Sequence, residues 1–228
     1  FEVRSGLLVR ANYKIIDVTE GYGGHTAALL EDLGPEGRII GIDRDTSAID
    51  SSRQRFAGDP RVKIVNARIS QLAGVIDNNR EFLNVGDGAT GGLADAFLFY
   101  LGVSSPQLDD ASRGFSFQKD GFLDLRMSPS ESGPTAADLV NKLPEDQLAD
   151  IIYQFGEEHA SRRVARAIIT ARIRKPITTT LELAKIVRSA VPFSKADAGR
   201  IHPATRTFKA LRIAVNSELE ELEKGLSI

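Results

Sequence analysis

The feature that most constrains this chain is an alternation, over its first hundred residues, of short apolar runs with stretches of helical period. KIIDV (Lys14–Val18), RIIGID (Arg38–Asp43), VKIV (Val62–Val65) and ADAFLFYL (Ala94–Leu101) have the length of strands. His25–Leu33, Ser47–Phe56 and Ser70–Asn78, which separate them, carry apolar residues at helical spacing. Gly34 and Pro35 end the first helical stretch, and Asp87–Gly92 (DGATGG) reads as a loop. Strands joined through helices must run parallel, and near-continuous apolar runs suit strands covered on both faces. The expectation is an α/β fold.

The pattern changes after Gly102. Ser104–Gly133 is rich in Ser, Asp, Gly and Pro and has no clear period. Helical segments then dominate. Thr135 caps one, Pro144 opens the next, and Ala160–Ile173 and Thr180–Ser189 follow. Pro203–Lys224 reads as one long amphipathic helix with Ala204, Phe208, Leu211, Val215 and Leu219 on a stripe. The expected organisation is a core made of residues 1–104 and 201–228, with a mostly helical insertion over 105–200.

Composition excludes several functions. The 228 residues contain no cysteine, so disulfides, thiolate zinc sites and cysteine nucleophiles are ruled out, and a cytoplasmic, reducing setting fits. His25, His159 and His202 lack metal-ligand spacing, so no metal is expected. No apolar run reaches the roughly 18 residues of a membrane span, so no membrane partner is expected. The net charge of −2 conceals an asymmetry: Ser161–Arg212 holds 13 Lys and Arg against Glu182 and Asp197. A basic half inside a nearly neutral chain points to a polyanion, with a solvated helical surface as the plain alternative. At about 100° per residue, Val164, Ile168 and Ala171 fall on one face of the Ala160–Ile173 helix. Arg162, Arg163 and Arg166 fall on the other, with Arg174 just beyond, as phosphate contacts would require.

Asp17-Val-Thr-Glu-Gly21-Tyr-Gly23-Gly24-His25 lies where the first strand turns into a helix. Glycines there let a cofactor approach the backbone. A dinucleotide fingerprint would place a third glycine where Thr26 stands, which argues against a nicotinamide or flavin oxidoreductase. Asp43 ends the second strand, where a carboxylate can accept both ribose hydroxyls of an adenosine. An ordinary tight turn and a helix cap are the plainer readings, although Asp45 and Thr46 are better placed to cap.

Leu101–Met127, LGVSSPQLDDASRGFSFQKDGFLDLRM, is similar to the signature of the MraW/RsmH family. The similarity continues in TAADLVNKL, LADIIYQFGEE, SRRVARAI, KPITTTLELAKIVRSAVP and HPATRTFKALRIAVNSELEELEKGL. The resemblance implies a Rossmann-like class I methyltransferase core with a helical insertion. It implies methyl transfer from S-adenosylmethionine to N4 of a cytidine in small-subunit ribosomal RNA, and the assembling small subunit as a partner. The implied cofactor positions are Gly21, Gly23, Gly24, His25, Asp43 and Gln107. They also include Ile69, where the family usually has an aromatic, and Tyr100, where Tyr100-Leu101-Gly102 stands in place of Asp-Leu-Gly. Tyr100, Asp109, Asp110 and Asp124 are the candidates for the reacting side, loop-forming aspartates being the plain alternative for the last three. Further C-terminal strands of the family are not in this chain, so the fourth strand is expected at an edge of a sheet ordered 3-2-1-4. The second reading is a non-catalytic RNA-binding or ribosome-assembly relative, which Tyr100 and Ile69 favour.

Overall fold

The computed structural model describes residues 9–83, 93–191 and 202–227. The chain divides into two compact units, Phe1–Gly102 with Leu219–Ile228, and Val103–Glu218.

The first unit is built on four parallel strands, β1 (Lys14–Asp17), β2 (Arg38–Asp43), β3 (Val62–Asn66) and β4 (Ala96–Leu98), in the order β3-β2-β1-β4. Ile15 pairs with both Ile39 and Ala96, so β1 lies at the centre. The alternation of side chains explains the two covered faces. Ile16, Val18, Ile40 and Ile42 pack with Leu72 and Val75 of α3 (Leu72–Asp77) and Leu83 of α4 (Arg80–Leu83). Ile15 and Ile39 pack on the opposite face with Leu29 of α1 (Gly24–Leu30) and Leu33. Each fully buried Ile or Leu contributes about 1.5–3 kcal/mol. Between β2 and β3 runs α2 (Thr46–Arg55), whose N-cap is Asp45: its carboxylate accepts the Ser47 N–H at 3.1 Å. The α/β expectation and the strand order hold. The fourth strand is shorter than the predicted Ala94–Leu101, with Tyr100 and Leu101 exposed beyond its end. The predicted loop Asp87–Gly92 lies outside the described residues.

The second unit is helical. It contains α5 (Ser105–Asp109), α6 (Ala136–Lys142), α7 (Glu145–Gly156), α8 (Ser161–Arg174), α9 (Thr180–Ala190) and α10 (Ala204–Asn216). Its core joins Leu123, Val140, Leu148, Ile168, Leu183 and Phe208. The stretch that reads as irregular contains α5, opened by a capping box between Ser104 and Gln107. It also contains a 3-10 turn at Ala111–Arg113 and a bridge between Phe122 and Thr179.

One expectation is corrected. Pro203–Lys224 is not a single helix: α10 ends at Asn216, Ser217 takes a left-handed φ of 49°, and α11 (Glu218–Leu226) begins anew. The buried Asn216 side chain causes the break to be tolerated. It accepts the Met127 N–H at 2.8 Å and donates to the Leu125 and Arg212 carbonyls at 2.7 and 2.8 Å. Consequently α10 belongs to the helical unit through Ala204, Phe208 and Leu211, and the chain re-enters the α/β unit at Leu219 rather than at 201. In that unit Glu221 accepts the Ser70 N–H at 3.0 Å, and Gly225 leaves room for Ile69.

Candidate cofactor site and basic helix

Within the α/β unit, the C-terminal ends of β1, β2 and β4 bring several predicted residues together. Gly21 and Gly23 adopt φ of 53° and 76°, conformations that favour glycine. A Cβ on Gly23 would also strike Phe56 and Ser52 at 2.6 and 2.8 Å, so this glycine serves close packing of α2. A Cβ on Gly24 would meet nothing within 4 Å. The turn is therefore tight towards α2 and open at the start of α1, where a ligand can reach the backbone.

Asp43 fastens this turn to β2. Its Oδ2 accepts the Gly21 N–H at 2.8 Å and its Oδ1 accepts the Asp45 N–H at 2.9 Å. Burial raises its pKa above the usual carboxylate value, and those backbone bonds oppose the rise. Tyr100 donates its backbone N–H to Thr19 Oγ1 at 2.7 Å, and its ring meets His25 edge-on with centroids 4.8 Å apart. Tyr100 is 65% exposed and so stands beside the glycine turn with its phenol free to meet a ligand. Burial lowers the His25 pKa, which keeps this ring neutral at physiological pH. Ile69 is half-buried in the apolar cluster beneath α3 and against Gly225.

The other candidates lie in the helical unit. Gln107 is 7% exposed and its Oε1 accepts the Ser104 N–H at 3.0 Å, a capping role. Asp110 accepts the Ser112 N–H and hydroxyl at 2.9 and 2.7 Å, and these bonds hold its carboxyl below the usual range. Asp124 holds Arg126 through two bonds of 2.7 and 2.9 Å. Asp110 and Asp124 thus shape their loop, as the plainer reading has it. Asp109 is exposed at the end of α5.

Sequence reasoning missed two buried acids in the turn itself. Glu20, 2% exposed, accepts the Thr26 hydroxyl at 2.6 Å and the Ser52 hydroxyl at 2.8 Å. Burial pushes its carboxyl up to about 8, reinforced by Asp17. Asp17 is fully buried and is pushed up to about 7, also chiefly by burial. Its Oδ1 accepts the Thr19 N–H at 3.1 Å, while Oδ2 has no hydrogen-bond partner. One sequence signal pointed here: Gly41 inside the apolar strand RIIGID, a mark of close approach by another group. That group is the Glu20 carboxyl, which a Cβ at Gly41 would strike.

In the helical unit α8 buries Val164 and Ile168 and exposes Arg162, Arg163, Arg166 and Arg174. Not all of the basic excess faces solvent freely. Arg172 closes the end of α6 by donating to the Val140 and Leu143 carbonyls at 2.9 and 2.7 Å. Arg166 approaches Glu145 at 3.3 Å, Lys209 approaches Glu157 at 3.0 Å, and Arg212 grips Glu218 at 2.7 Å. These acids lie outside the counted window, which is why the sequence tally overstates the free charge. A concavity of about 260 Å³ beside the first turn of α8 is lined by Tyr153, His159, Arg162 and Arg163, with Asp150 on its wall. Among the described residues no group of three or more His, Asp or Glu side chains could hold a metal ion, and no helix is long and apolar enough to cross a membrane.

Comparison with known proteins follows the same lines. Two ribosomal RNA small subunit methyltransferases H, from Stenotrophomonas maltophilia strains K279a and R551-3, are each 46% identical over 225 residues. The match covers 99% of this chain and 65% of each relative, so the chain spans about two-thirds of their length. A solved structure from Clostridium thermocellum, an inferred rRNA-methylase, aligns over 29% of this chain and 37% of its own with a TM-score of 0.27 and 25% identity. So partial an alignment carries no argument. The profile of the MraW methylase family matches residues 2–228, and the chain belongs to that family.

Proposed function

We propose that this chain carries the cofactor-binding and RNA-binding parts of a methyltransferase that acts, in the cytoplasm, on N4 of a cytidine in small-subunit ribosomal RNA. The observation that carries the reading is the Asp43 carboxylate fastened to the Gly21 N–H at 2.8 Å, beside a glycine turn open at Gly24. These residues fit S-adenosylmethionine. Gly21, Gly23, Gly24 and His25 would line its path along the turn, and Asp43 would receive a ribose hydroxyl. S-adenosylmethionine, when bound, supplies a methyl group already activated on sulfonium.

The protein's part is then to position a weak nucleophile and exclude water. The lone pair of cytidine N4 is delocalised into the ring, and an acceptor oxygen on an amine hydrogen helps to localise it. Tyr100 stands beside the turn with a phenol oxygen that can accept such a bond but is no carboxylate. Asp109, exposed at the end of α5 in the helical unit, would be a substrate-side acid, whereas Asp110 and Asp124 are engaged with Ser112 and Arg126. Gln107 caps the start of α5 within the helical unit, and Ile69 packs in the apolar cluster of the α/β unit, so neither brings charge to the chemistry. Arg162, Arg163 and Arg174 would take RNA phosphates, with Arg166 contributing less because Glu145 competes for it.

Two measurements test the reading. Calorimetric titration should show binding of S-adenosylmethionine, and radiolabelled methyl should pass to small ribosomal subunits and appear as N4-methylcytidine after nuclease digestion. Tyr100 in place of a carboxylate favours a second reading, a relative that binds cofactor and RNA without turnover. Binding without methyl transfer would select it, and no binding of the cofactor would sink both.

A further inference from the structure

Glu20 is a buried acid for which the proposed chemistry has no use, and every element framing the glycine turn meets it. It follows β1 directly. Its backbone N–H donates to the Ile42 carbonyl of β2 at 2.9 Å, and its carbonyl accepts the Gly23 N–H at 3.0 Å. Its carboxyl lies against Gly41, where a side chain of any other residue would clash. One carboxyl oxygen is 2.6 Å from the Thr26 hydroxyl of α1, and the other is 2.8 Å from the Ser52 hydroxyl of α2. Ser52 Oγ also reaches the Gly21 carbonyl at 3.4 Å.

The charged groups around it decide its state. Asp17 from β1 and Asp43 from the end of β2 act on it, and both are acids. From α1 and α2 it receives only hydroxyls. Arg55 of α2 donates instead to the Tyr22 carbonyl at 3.1 Å, and His25 of α1 stands against Tyr100. A buried carboxylate with acids for neighbours and, among the described residues, no cation bonded to it is costly, whereas the neutral acid is fully satisfied here. Protonated on the oxygen that faces Ser52, it would accept from Thr26, donate to Ser52 Oγ, and leave the Ser52 hydrogen for the Gly21 carbonyl.

We propose that Glu20 is a positioning residue that works as a neutral acid, its proton tying α1, α2 and β2 to the Gly21–Gly24 turn so that the turn is preformed for the cofactor. The inference rests on the reading of that turn as the S-adenosylmethionine site. Ionisation of Glu20 places charge among Asp17 and Asp43 and removes the donor to Ser52, so the turn loosens at alkaline pH. The carboxyl's value of about 8 sets the range, with Asp17 titrating at about 7 before it.

The test compares the 228-residue protein with Glu20→Gln and Glu20→Ala between pH 6 and 9.5, by calorimetric titration with S-adenosylmethionine and by thermal melting without it. Affinity of the unchanged protein should fall by about tenfold between pH 7.5 and 9, one decade being the scale of a unit of ionisation. Glutamine imitates the neutral acid, so Glu20→Gln should rescue binding at alkaline pH, while Glu20→Ala binds weakly throughout. Because the folded pKa is raised, stability is lost as pH climbs from the ordinary 4.5 towards 8. In Glu20→Gln the portion of that loss ending near 8 should vanish, leaving the portion due to Asp17. An alkaline fall in affinity or melting temperature that persists unchanged in Glu20→Gln overturns the proposal. Absence of cofactor binding at every pH refutes the methyltransferase reading instead, and the melting comparison then still decides the state of Glu20.

Discussion

Removing the Asp43 carboxylate separates a cofactor site from an ordinary turn. Each Asp43 oxygen already accepts one backbone N–H, from Gly21 at 2.8 Å and from Asp45 at 2.9 Å. An ionised carboxylate offers about four acceptor positions, and the Arg44 N–H also bonds to this one, so one remains for a ribose hydroxyl. A hydrogen bond to a charged group contributes about 1.5–3 kcal/mol. At about 1.4 kcal/mol per decade, losing one such bond weakens binding by roughly 10- to 100-fold. Asp43→Ala also releases the Gly21 N–H, so a loosened turn could imitate a lost ligand. The ligand resolves this: an S-adenosylmethionine analogue without ribose hydroxyls should bind the unchanged protein more weakly by the factor above. Asp43→Ala should bind analogue and parent compound about equally, as measured by calorimetry at pH 7. If Asp43→Ala still discriminates against the analogue as strongly as the unchanged protein does, Asp43 does not hold the ribose and the assignment of the β2 end fails.

Three further outcomes are expected. Tyr100→Asp should raise methyl transfer to small ribosomal subunits, since it places a carboxylate beside His25; an active parent protein with no gain in the variant would dismiss the idea. Neutralising Arg162 and Arg163 to Gln should lower the slope of log affinity against log salt by about 0.7 for each phosphate no longer neutralised on single-stranded RNA. Arg166→Gln should change it less, given Glu145 at 3.3 Å, and an unaltered slope in the double variant would remove α8 from the RNA interface. Asn216→Ala leaves the part-buried Met127 N–H and the buried Leu125 carbonyl unpaired and should cost about 2–4 kcal/mol in urea unfolding; a loss under about 1 kcal/mol would show that water replaces the side chain.

Strand positions were legible as short apolar runs, which in β1 and β2 reflect burial on both faces. Arg38–Asp43 matches β2 end to end, and the strands around it differ by a residue at one end. The exception is ADAFLFYL, where hydrophobicity ran past the pairing: β1 has only three partners to offer β4. Asp43 was legible because its position at a strand end is meaningful without knowledge of packing. Glu20 was not, since a glutamate among glycines reads as a solvated turn until Gly41 of the neighbouring strand is set against it. The division of the described basic residues between solvent-facing and internally bonded could not be read either. It depends on Glu145, Glu157 and Glu218, which the fold brings back from outside the window. Nor could the break after Asn216, because neither glycine nor proline marks it and the bonds that accompany it reach Met127 and Leu125, far away in sequence.

That break bears on the order in which the protein is completed during synthesis. The helical unit is one uninterrupted stretch, Val103–Glu218, whereas the α/β unit needs Leu219 onwards. Until Glu221 has left the ribosome, the Ser70 N–H lacks its carboxylate partner, and until Gly225 has left, Ile69 lacks its seat. Domains generally fold as units as the chain emerges. Here the segment made later can close first, and the earlier strands must wait, with the Ile69 end of their apolar layer uncovered, for a helix of nine residues. A slowing of translation anywhere between the codons for Gly102 and Glu221 would lengthen that wait, and one placed before the codon for Lys14 would not.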